Sequence, residues 1–395
     1  MNNKKRFLQG ALCGALVALM IVFVGKGINK VVSYMNAVKG GEYTKEEKLE
    51  LIDQLIDKYY LYKDEVEETD LEEGLYAGYV SGLEDPYSVY YTEEEAQELL
   101  ESMSGEYSGV GAVLSQDNAT YAVTITSVYK NSPAEEAGLQ AGDIIYQVDD
   151  HEIIDEELSE IVTWIRGEEG TEVHIHVLRD GEEIETVPVR RVIEVSTVEY
   201  EMKEDQIGYI RVIEFDKVTT EQFQIALDDL KLQGMKGLVI DLRSNPGGSL
   251  DTVVAMLDEI LPEGTIVSME SSIEETTEYT CDGSNEFTKP LTVLINGYSA
   301  SASEIFAGAV QDHGIGEIVG TKSYGKGVVQ NIMGLGDGTY LKLTIAEYFL
   351  PSGRSINKVG ITPDVVVEYE YDEKNPDKDN QLEKALEIVQ QKIQN

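Results

Sequence analysis

The chain of 395 residues is 42% hydrophobic and 8% aromatic, enough apolar material for two or more packed domains, which excludes a disordered polymer. Its formal charge of -43 argues against nucleic-acid binding, which needs a basic face, and serves solubility. Its two cysteines are Cys13, inside an N-terminal apolar run, and Cys281, so no disulfide staples the folded part.

Lys4, Lys5 and Arg6 precede an uncharged apolar segment, residues 7–24, and Lys26 follows it. That length is the lower limit for a membrane-spanning helix. The basic flank assigns residues 1–6 to the cytoplasm, residues 7–25 to a single-pass transmembrane anchor in a bacterial cell membrane, and the remainder to the outside. A cleaved signal peptide is the competing reading, although no clean small-x-small site follows. Residues 26–105 read as a linker and helices: Leu49, Ile52, Leu55, Ile56 and Tyr59 recur at helical spacing, and residues 71–83 continue the pattern. Thr92 and Glu95 form a capping box for a further helix through Met103. Carboxylate runs such as residues 65–70 are solvated faces rather than metal ligands.

Residues 107–191 have the strand and turn spacing of a small β-rich domain, with a helix over residues 158–166 that ends at Arg166. His174 and His176 share a strand face, but His151 is the only other histidine nearby and no cysteine assists, so a metal centre is not expected. From residue 192 the pattern alternates: a strand at 207–213, a helix at 220–233 and a strand at 237–242 imply an α/β core. The loop Arg243-Ser-Asn-Pro-Gly-Gly248 opens the next helix, over residues 250–261. Its adjacent glycines, with no Gly-Lys-Ser/Thr after them, fit neither nucleotide-binding fingerprint. Cys281, beside Asp282 and Gly283, reads as a passenger thiol in a polar loop.

Residues 291–295 form a buried strand, Asn296-Gly-Tyr298 a turn, and Ser299-Ala-Ser-Ala-Ser-Glu304 the lead into a helix with apolar Ile305, Phe306, Ala309 and Val310. Ser301 therefore sits near a helix N-terminus, where free N–H groups favour a negatively charged oxygen. A serine hydroxyl needs a base, and the best candidate is Lys326 in Ser323-Tyr-Gly-Lys-Gly-Val-Val-Gln330. Strand alternation predicts Lys326 and Gln330 on one side, so that the amide orients the amine. To act as a base the lysine must be neutral, its pKa lowered from about 10.4 by roughly three units, about 4 kcal/mol. His313 cannot replace it, because the far end of the helix lies about 18 Å from Ser301 at roughly 1.5 Å per residue. Residues 339–349 and 364–371 read as strands, the second at an edge. Residues 372–395 read as a linker and a helix with apolar Leu382, Leu386, Val389 and Ile393. That helix is expected to pack on the body or on a second subunit.

Ser299-Ala-Ser-Ala-Ser-Glu304, Tyr324-Gly-Lys-Gly-Val-Val-Gln330, Asp241-Leu-Arg-Ser-Asn-Pro-Gly-Gly248 and Gly360-Ile-Thr-Pro-Asp364 together resemble the carboxy-terminal processing peptidases, serine proteases with a Ser-Lys dyad. Gly109-Val-Gly-Ala-Val-Leu114 and Ser132-Pro-Ala-Glu-Glu-Ala-Gly-Leu-Gln-Ala-Gly-Asp-Ile-Ile145 resemble a PDZ domain. The resemblance implies a multidomain α+β protein: helices of a dimerisation and linker region, a PDZ domain at 106–191 and a ClpP/crotonase-like α/β protease core at 192–371. Leu83-Glu-Asp-Pro-Tyr-Ser88 looks like the start of the central module. The resemblance makes Ser301 the nucleophile, Lys326 the base and Gln330 the residue that holds it, with backbone N–H groups of Gly247 or Gly248 and Ala302 as the oxyanion hole. Val110, Gly111, Ala112 and Val113 would line a groove for protein C-termini, and Arg166 would couple that groove to catalysis. No metal or organic cofactor is implied. Expected partners are unfolded or C-terminally exposed proteins, the membrane, and a second copy in a homodimer. A catalytically silent PDZ scaffold and a small-substrate esterase are the alternative readings.

Overall fold

The computed structural model describes residues 43–271, 276–376 and 378–394. The proposed anchor at 7–25 lies outside the described residues, and among the described residues no helix is long and apolar enough to cross a membrane. The chain divides into two compact units, one ending at Gly74 and the other starting at Leu75. In the first, α1 (Lys45–Tyr59) is started by a Thr44–Glu47 capping box, and none of its residues is buried. Helix α2 (Glu68–Ser81) follows.

The second unit begins within α2, at Leu75, and continues with β1 (Val89–Tyr91) and α3 (Glu93–Ser104). The expected Thr92–Glu95 capping box starts α3, and Gly105 ends it in the left-handed region that glycine adopts freely. The β-rich domain is closed at its ends by β2 (Glu106–Gly109) pairing with β9 (Arg191–Glu194). Between them β3 (Ala112–Gln116), β4 (Val123–Val128), β5 (Ile144–Val148), β7 (Ile175–Arg179) and β8 (Glu182–Thr186) form an antiparallel sheet in that order. The short β6 (His151–Glu152) pairs with β5, and α4 (Pro133–Glu136) is a single turn after β4. Helix α5 (Leu158–Ile165) buries Ile161 and Ile165 against Val110, Val123, Ile125 and Ile175.

The larger domain is built on β10 (Val198–Lys203), β11 (Ile207–Val212), β12 (Gly237–Asp241), β15 (Leu291–Ile295), β16 (Glu317–Gly320) and β19 (Val365–Val366), in that spatial order and parallel except for β10. Every residue of β12 and β15 is buried, as sequences covered on both faces must be. One face carries α6 (Thr219–Leu232), α7 (Leu250–Asp258) and α8 (Ala302–His313) over Ile210, Leu238, Ile240 and Val293. The alternate residues Ile207, Val239, Leu294 and Val319 face the C-terminal α9 (Asn380–Gln394). A second sheet centres on β18 (Tyr340–Phe349), which pairs with β17 (Val328–Gly334), with β1 at its start and with β13 (Gly264–Ser271) at its end. Strand β14 (Thr277–Cys281) completes it.

One expectation is decided and two change. Of the two surfaces expected for it, α9 packs its apolar stripe on the body's own sheet, so that stripe gives no ground for a homodimer. The edge strand expected over 364–371 shrinks to the two residues of β19. Cys281 is no loop residue: it ends β14, buried, with its thiol donating to the Pro262 carbonyl at 2.9 Å, and burial pushes its pKa up. A Cβ at Gly237 would lie 2.3 Å from a Val389 methyl, so the sheet meets α9 with no room for a side chain there. Gly237→Ala is expected to destabilise the protein by about 1–3 kcal/mol through overpacking. Urea titration checks this, and a wild-type midpoint would mean that α9 sits loosely.

Candidate active site

Loops leaving the C-terminal ends of the adjacent parallel strands β12 and β15 meet beside the N-terminus of α8. Asn245, fully buried between them, donates to the Val212 carbonyl at 2.9 Å and accepts from Ser303 Oγ (3.0 Å) and Ala300 N–H (3.1 Å) through its own carbonyl. The packing is tight enough that a Cβ on Gly247 would come within 2.8 Å of Ser301 Cβ and 3.0 Å of the Ala302 nitrogen. Ser301 itself has φ +54 and ψ -115, a strained conformation of the kind that exposes a nucleophile at a strand-to-helix turn.

The two glycines differ. The Gly247 N–H already donates to Asn245 Oδ1 at 2.8 Å, so this expected oxyanion donor is committed to holding its own loop. The Gly247 carbonyl accepts from Phe215 N–H at 2.8 Å, and Ser249 N–H returns to the Phe215 carbonyl at 2.7 Å. Among the described residues the N–H groups of Gly248 and Ala302 meet no acceptor, and both residues line one cavity of about 450 Å³ with Ser301 and Lys326. Leu250, Met269, Ile305 and Ile332 make much of the remaining wall apolar.

Lys326 reaches this cavity on a loop whose backbone is tied to the serine turn by one side chain, Glu304. The Glu304 carboxylate is fully buried and accepts four hydrogen bonds: from Ser301 N–H (3.0 Å) and Lys326 N–H (2.8 Å) at Oε2, and from Ser323 Oγ (2.5 Å) and Gly325 N–H (2.7 Å) at Oε1. Tyr324 N–H adds a bond to the Ser299 carbonyl at 3.0 Å. The buried Tyr348 hydroxyl donates to the Lys326 carbonyl and also interacts with the Ser301 side chain. Burial first, and the Lys342 charge second, push the Lys326 pKa down, while Asp85 and Glu304 oppose them. The Lys326 ammonium lies 4.8 Å from the centre of the Tyr87 ring, and no hydrogen bond joins it to Ser301 among the described residues.

Among the described residues no hydrogen bond joins Gln330 to Lys326. Strand β17 begins only at Val328, so the alternation expected to pair Gln330 with Lys326 does not reach back to the lysine, and the one irregularity nearby is an extra residue, Ile345, on the facing β18. The Gln330 amide donates instead to Thr344 Oγ1 at 3.3 Å, although its side chain still borders the cavity. His313 closes the far end of α8 on the Thr265 carbonyl, and His174 pairs with Glu185. No cluster fit for a metal ion exists among the described residues.

A second cavity, about 250 Å³, lies between β3 and α5 and is lined by Gly111, Ala112, Val113, Leu158 and Val162. Among the described residues strand β3 pairs only with β4, which leaves its other edge free there for an added strand. Val110 lines the same cavity, as expected, while also belonging to the domain core at 2% exposure. Arg166 caps α5 and borders the same cavity, 4.8 Å from the Tyr107 ring and 3.2 Å from Glu101 of α3. Leu99 and Met103, on that same helix, line the Ser301 cavity.

A model of peptidase family S41 matches residues 206–367 and a PDZ-domain model matches residues 124–179. The carboxy-terminal-processing protease of Bartonella bacilliformis is 40% identical over 300 residues, which span 73% of this chain and 68% of that protein. The chain belongs to the carboxy-terminal processing peptidase family. It is a serine-type peptidase with a PDZ domain. A "Probable CtpA-like serine protease" of Staphylococcus epidermidis is 35% identical over 323 residues, 81% of this chain and 65% of that one. The chain spans about two thirds of the length of these relatives. An S41 protease structure from Bacteroides fragilis, at 19% identity and TM-score 0.51 over 89% of this chain and 99% of that one, shares the fold.

Sequence reasoning on this peptidase missed Glu304, Asn245 and Tyr348 as positioning groups. Glu304 had a readable signal, since Ser301-x-x-Glu304 has the spacing of a capping box, and Ser301 N–H does donate to Glu304. Gly248 has φ +140, and a Cβ there would lie 2.4 Å from the Phe215 carbonyl oxygen. Gly248→Ala is therefore expected to lower peptide hydrolysis about a hundredfold or more by displacing one oxyanion donor. Turnover measured alongside melting temperature checks this, and wild-type turnover would remove Gly248 from the site.

Proposed function

We propose that this peptidase cleaves peptide bonds with Ser301 as nucleophile and neutral Lys326 as general base, on proteins whose C-termini it binds in its PDZ groove. The observation that carries the reading is the single cavity onto which Ser301, Lys326 and the unpartnered N–H groups of Gly248 and Ala302 all open. Ser301 Oγ adds to the scissile carbonyl carbon while Lys326 Nζ takes its proton. The resulting oxyanion accepts from Gly248 and Ala302 N–H, where the N-terminus of α8 also favours negative charge. Lys326 then gives the proton to the departing amine as the C–N bond breaks, and a water deprotonated by the same lysine hydrolyses the acyl-enzyme. The Nζ–Oγ hydrogen bond forms by a tightening of the kind common on substrate binding.

The open β3 edge supports strand addition of a substrate C-terminus, and the apolar groove suits an apolar last residue. Arg166 is the natural relay, because its partner Glu101 shares α3 with Leu99 and Met103 of the catalytic cavity. That ion pair is half exposed and weak, so the relay acts by placing α3. The apolar segment at 7–25 supports a membrane tether with the peptidase outside the cytoplasm.

The test incubates the detergent-solubilised full chain with an unstructured protein bearing an apolar C-terminus. Cleavage is expected to fall about a thousandfold or more in Ser301→Ala and in Lys326→Ala. A free peptide with the same C-terminus should accelerate the wild type and leave Arg166→Ala unaffected. Undiminished cleavage by Lys326→Ala would reject the dyad, and binding without any cleavage by the wild type would favour the scaffold.

A further inference from the structure

Acidic residues outnumber basic ones in this chain, 74 against 31, so a partly buried lysine that forms no ion pair is informative. Two such lysines, Lys326 and Lys342, share the wall of the catalytic cavity, and neither forms an ion pair among the described residues. Lys342 lies near the start of β18, opposite Val89 of β1 and Ile332 of β17. Its ammonium donates to the Tyr91 hydroxyl and lies 5.0 Å from the centre of that ring. The lysine is therefore anchored by a neutral partner that leaves its charge uncompensated.

We propose that Lys342 is a positioning residue for the reaction: its ammonium, held in the cavity wall by Tyr91, is the fixed positive charge that keeps Lys326 neutral and able to accept the Ser301 proton. The inference rests on Lys326 being the base. The groups facing Lys326 are Asp85 and the Tyr87 ring from the loop before β1, Glu304 from α8, and Tyr348 and Lys342 from β18, while Tyr324 of its own loop meets Tyr87. Asp85, Glu304 and the face of the Tyr87 ring all favour the charged ammonium. Neither carboxylate can be spared. Glu304 joins the two catalytic loops, and Asp85 accepts from Tyr87 N–H at 3.1 Å and Ser88 Oγ at 2.6 Å to shape the turn beneath Lys326. Burial opposes these charges, and Lys342 is the cation that acts with it. A second ammonium beside a catalytic lysine is an effective way to hold an amine unprotonated. A purely structural Lys342 would also fix the β1–β18 pairing, and its loss would lower activity equally at every pH.

The experiment follows covalent labelling of Ser301 by a fluorophosphonate, which needs no knowledge of the substrate, with the full chain from about pH 6 to 10, around the range where a depressed lysine titrates. Wild type, Lys342→Arg, Lys342→Met and Lys326→Ala are compared, with melting temperatures as folding controls. Removing a like charge raises the pKa of the remaining lysine. The acidic limb of Lys342→Met should therefore move up by about one pH unit, so that labelling is about tenfold slower on the limb and regains the wild-type rate above it. Lys342→Arg should keep the wild-type limb. A Lys342→Met limb that stays in place, or a loss equal at every pH, overturns the proposal. Wild-type labelling with the same limb in Lys326→Ala would instead overturn the assignment of the base. If Lys342→Met does not fold, Tyr91→Phe, which frees the ammonium from its anchor, should move the limb in the same direction by less, and an unmoved limb there is equally fatal.

Discussion

One buried carboxylate holds the catalytic geometry together. Glu304 takes a donor from the serine turn and one from the lysine loop on the same oxygen, and two more from the lysine loop on the other. A buried carboxylate is costly unless its lone pairs are filled, and here four donors and the N-terminus of α8 fill them. The demand works in reverse as well. Because the carboxylate must keep all four donors, neither loop can drift without leaving a buried charge unsatisfied, and the strained Ser301 backbone is held by the same bonds.

The rest of the fold supplies that brace with fixed anchors. Strands β12 and β15 are buried on both faces, so the loops that leave their ends start from the stiffest part of the sheet. Asn245 fastens the glycine loop to β11 and to α8, while Ser323 Oγ, which donates to Glu304, accepts from Ile361 N–H at 2.6 Å. The Gly360-Ile-Thr-Pro-Asp364 motif thus reaches the site through structure rather than chemistry. Asp364 extends the same tie by accepting from Ile318 N–H of β16 at 2.8 Å. Arg243, at the root of the glycine loop, is bound by Asp241 and by Asp379 at the start of α9. The C-terminal helix therefore steadies the loop that presents Gly248.

Much of this was legible in the sequence where local pattern and tertiary demand agree. Continuous apolar runs marked β12 and β15, the Thr92–Glu95 box marked α3, and the serine and lysine motifs pointed to residues that share one cavity. The misses share a cause, which is that a contact distant in sequence decided the outcome. Gln330 bonds its cross-strand neighbour Thr344, and the alternation that was to pair it with Lys326 fails because β17 begins only at Val328. Gly247 lost its free N–H to an asparagine two residues away whose rotamer is set by burial against β11. The amphipathic pattern of α9 specified an apolar face without specifying which surface covers it. Glu304 carries only the spacing of a local helix cap, and its bonds to Ser323, Gly325 and Lys326 appear only once the loops are brought together.

The brace between the two loops is probed most directly by Glu304→Gln. The glutamine keeps the volume but presents an NH₂ group where two of the four donors need an acceptor. The second-order rate of Ser301 labelling by a fluorophosphonate, measured beside the melting temperature, reads the geometry without any substrate. The account predicts a fall of about a hundredfold or more in a protein that remains folded, the size that a displacement of about 1 Å brings. A folded Glu304→Gln variant labelled at the wild-type rate would contradict it.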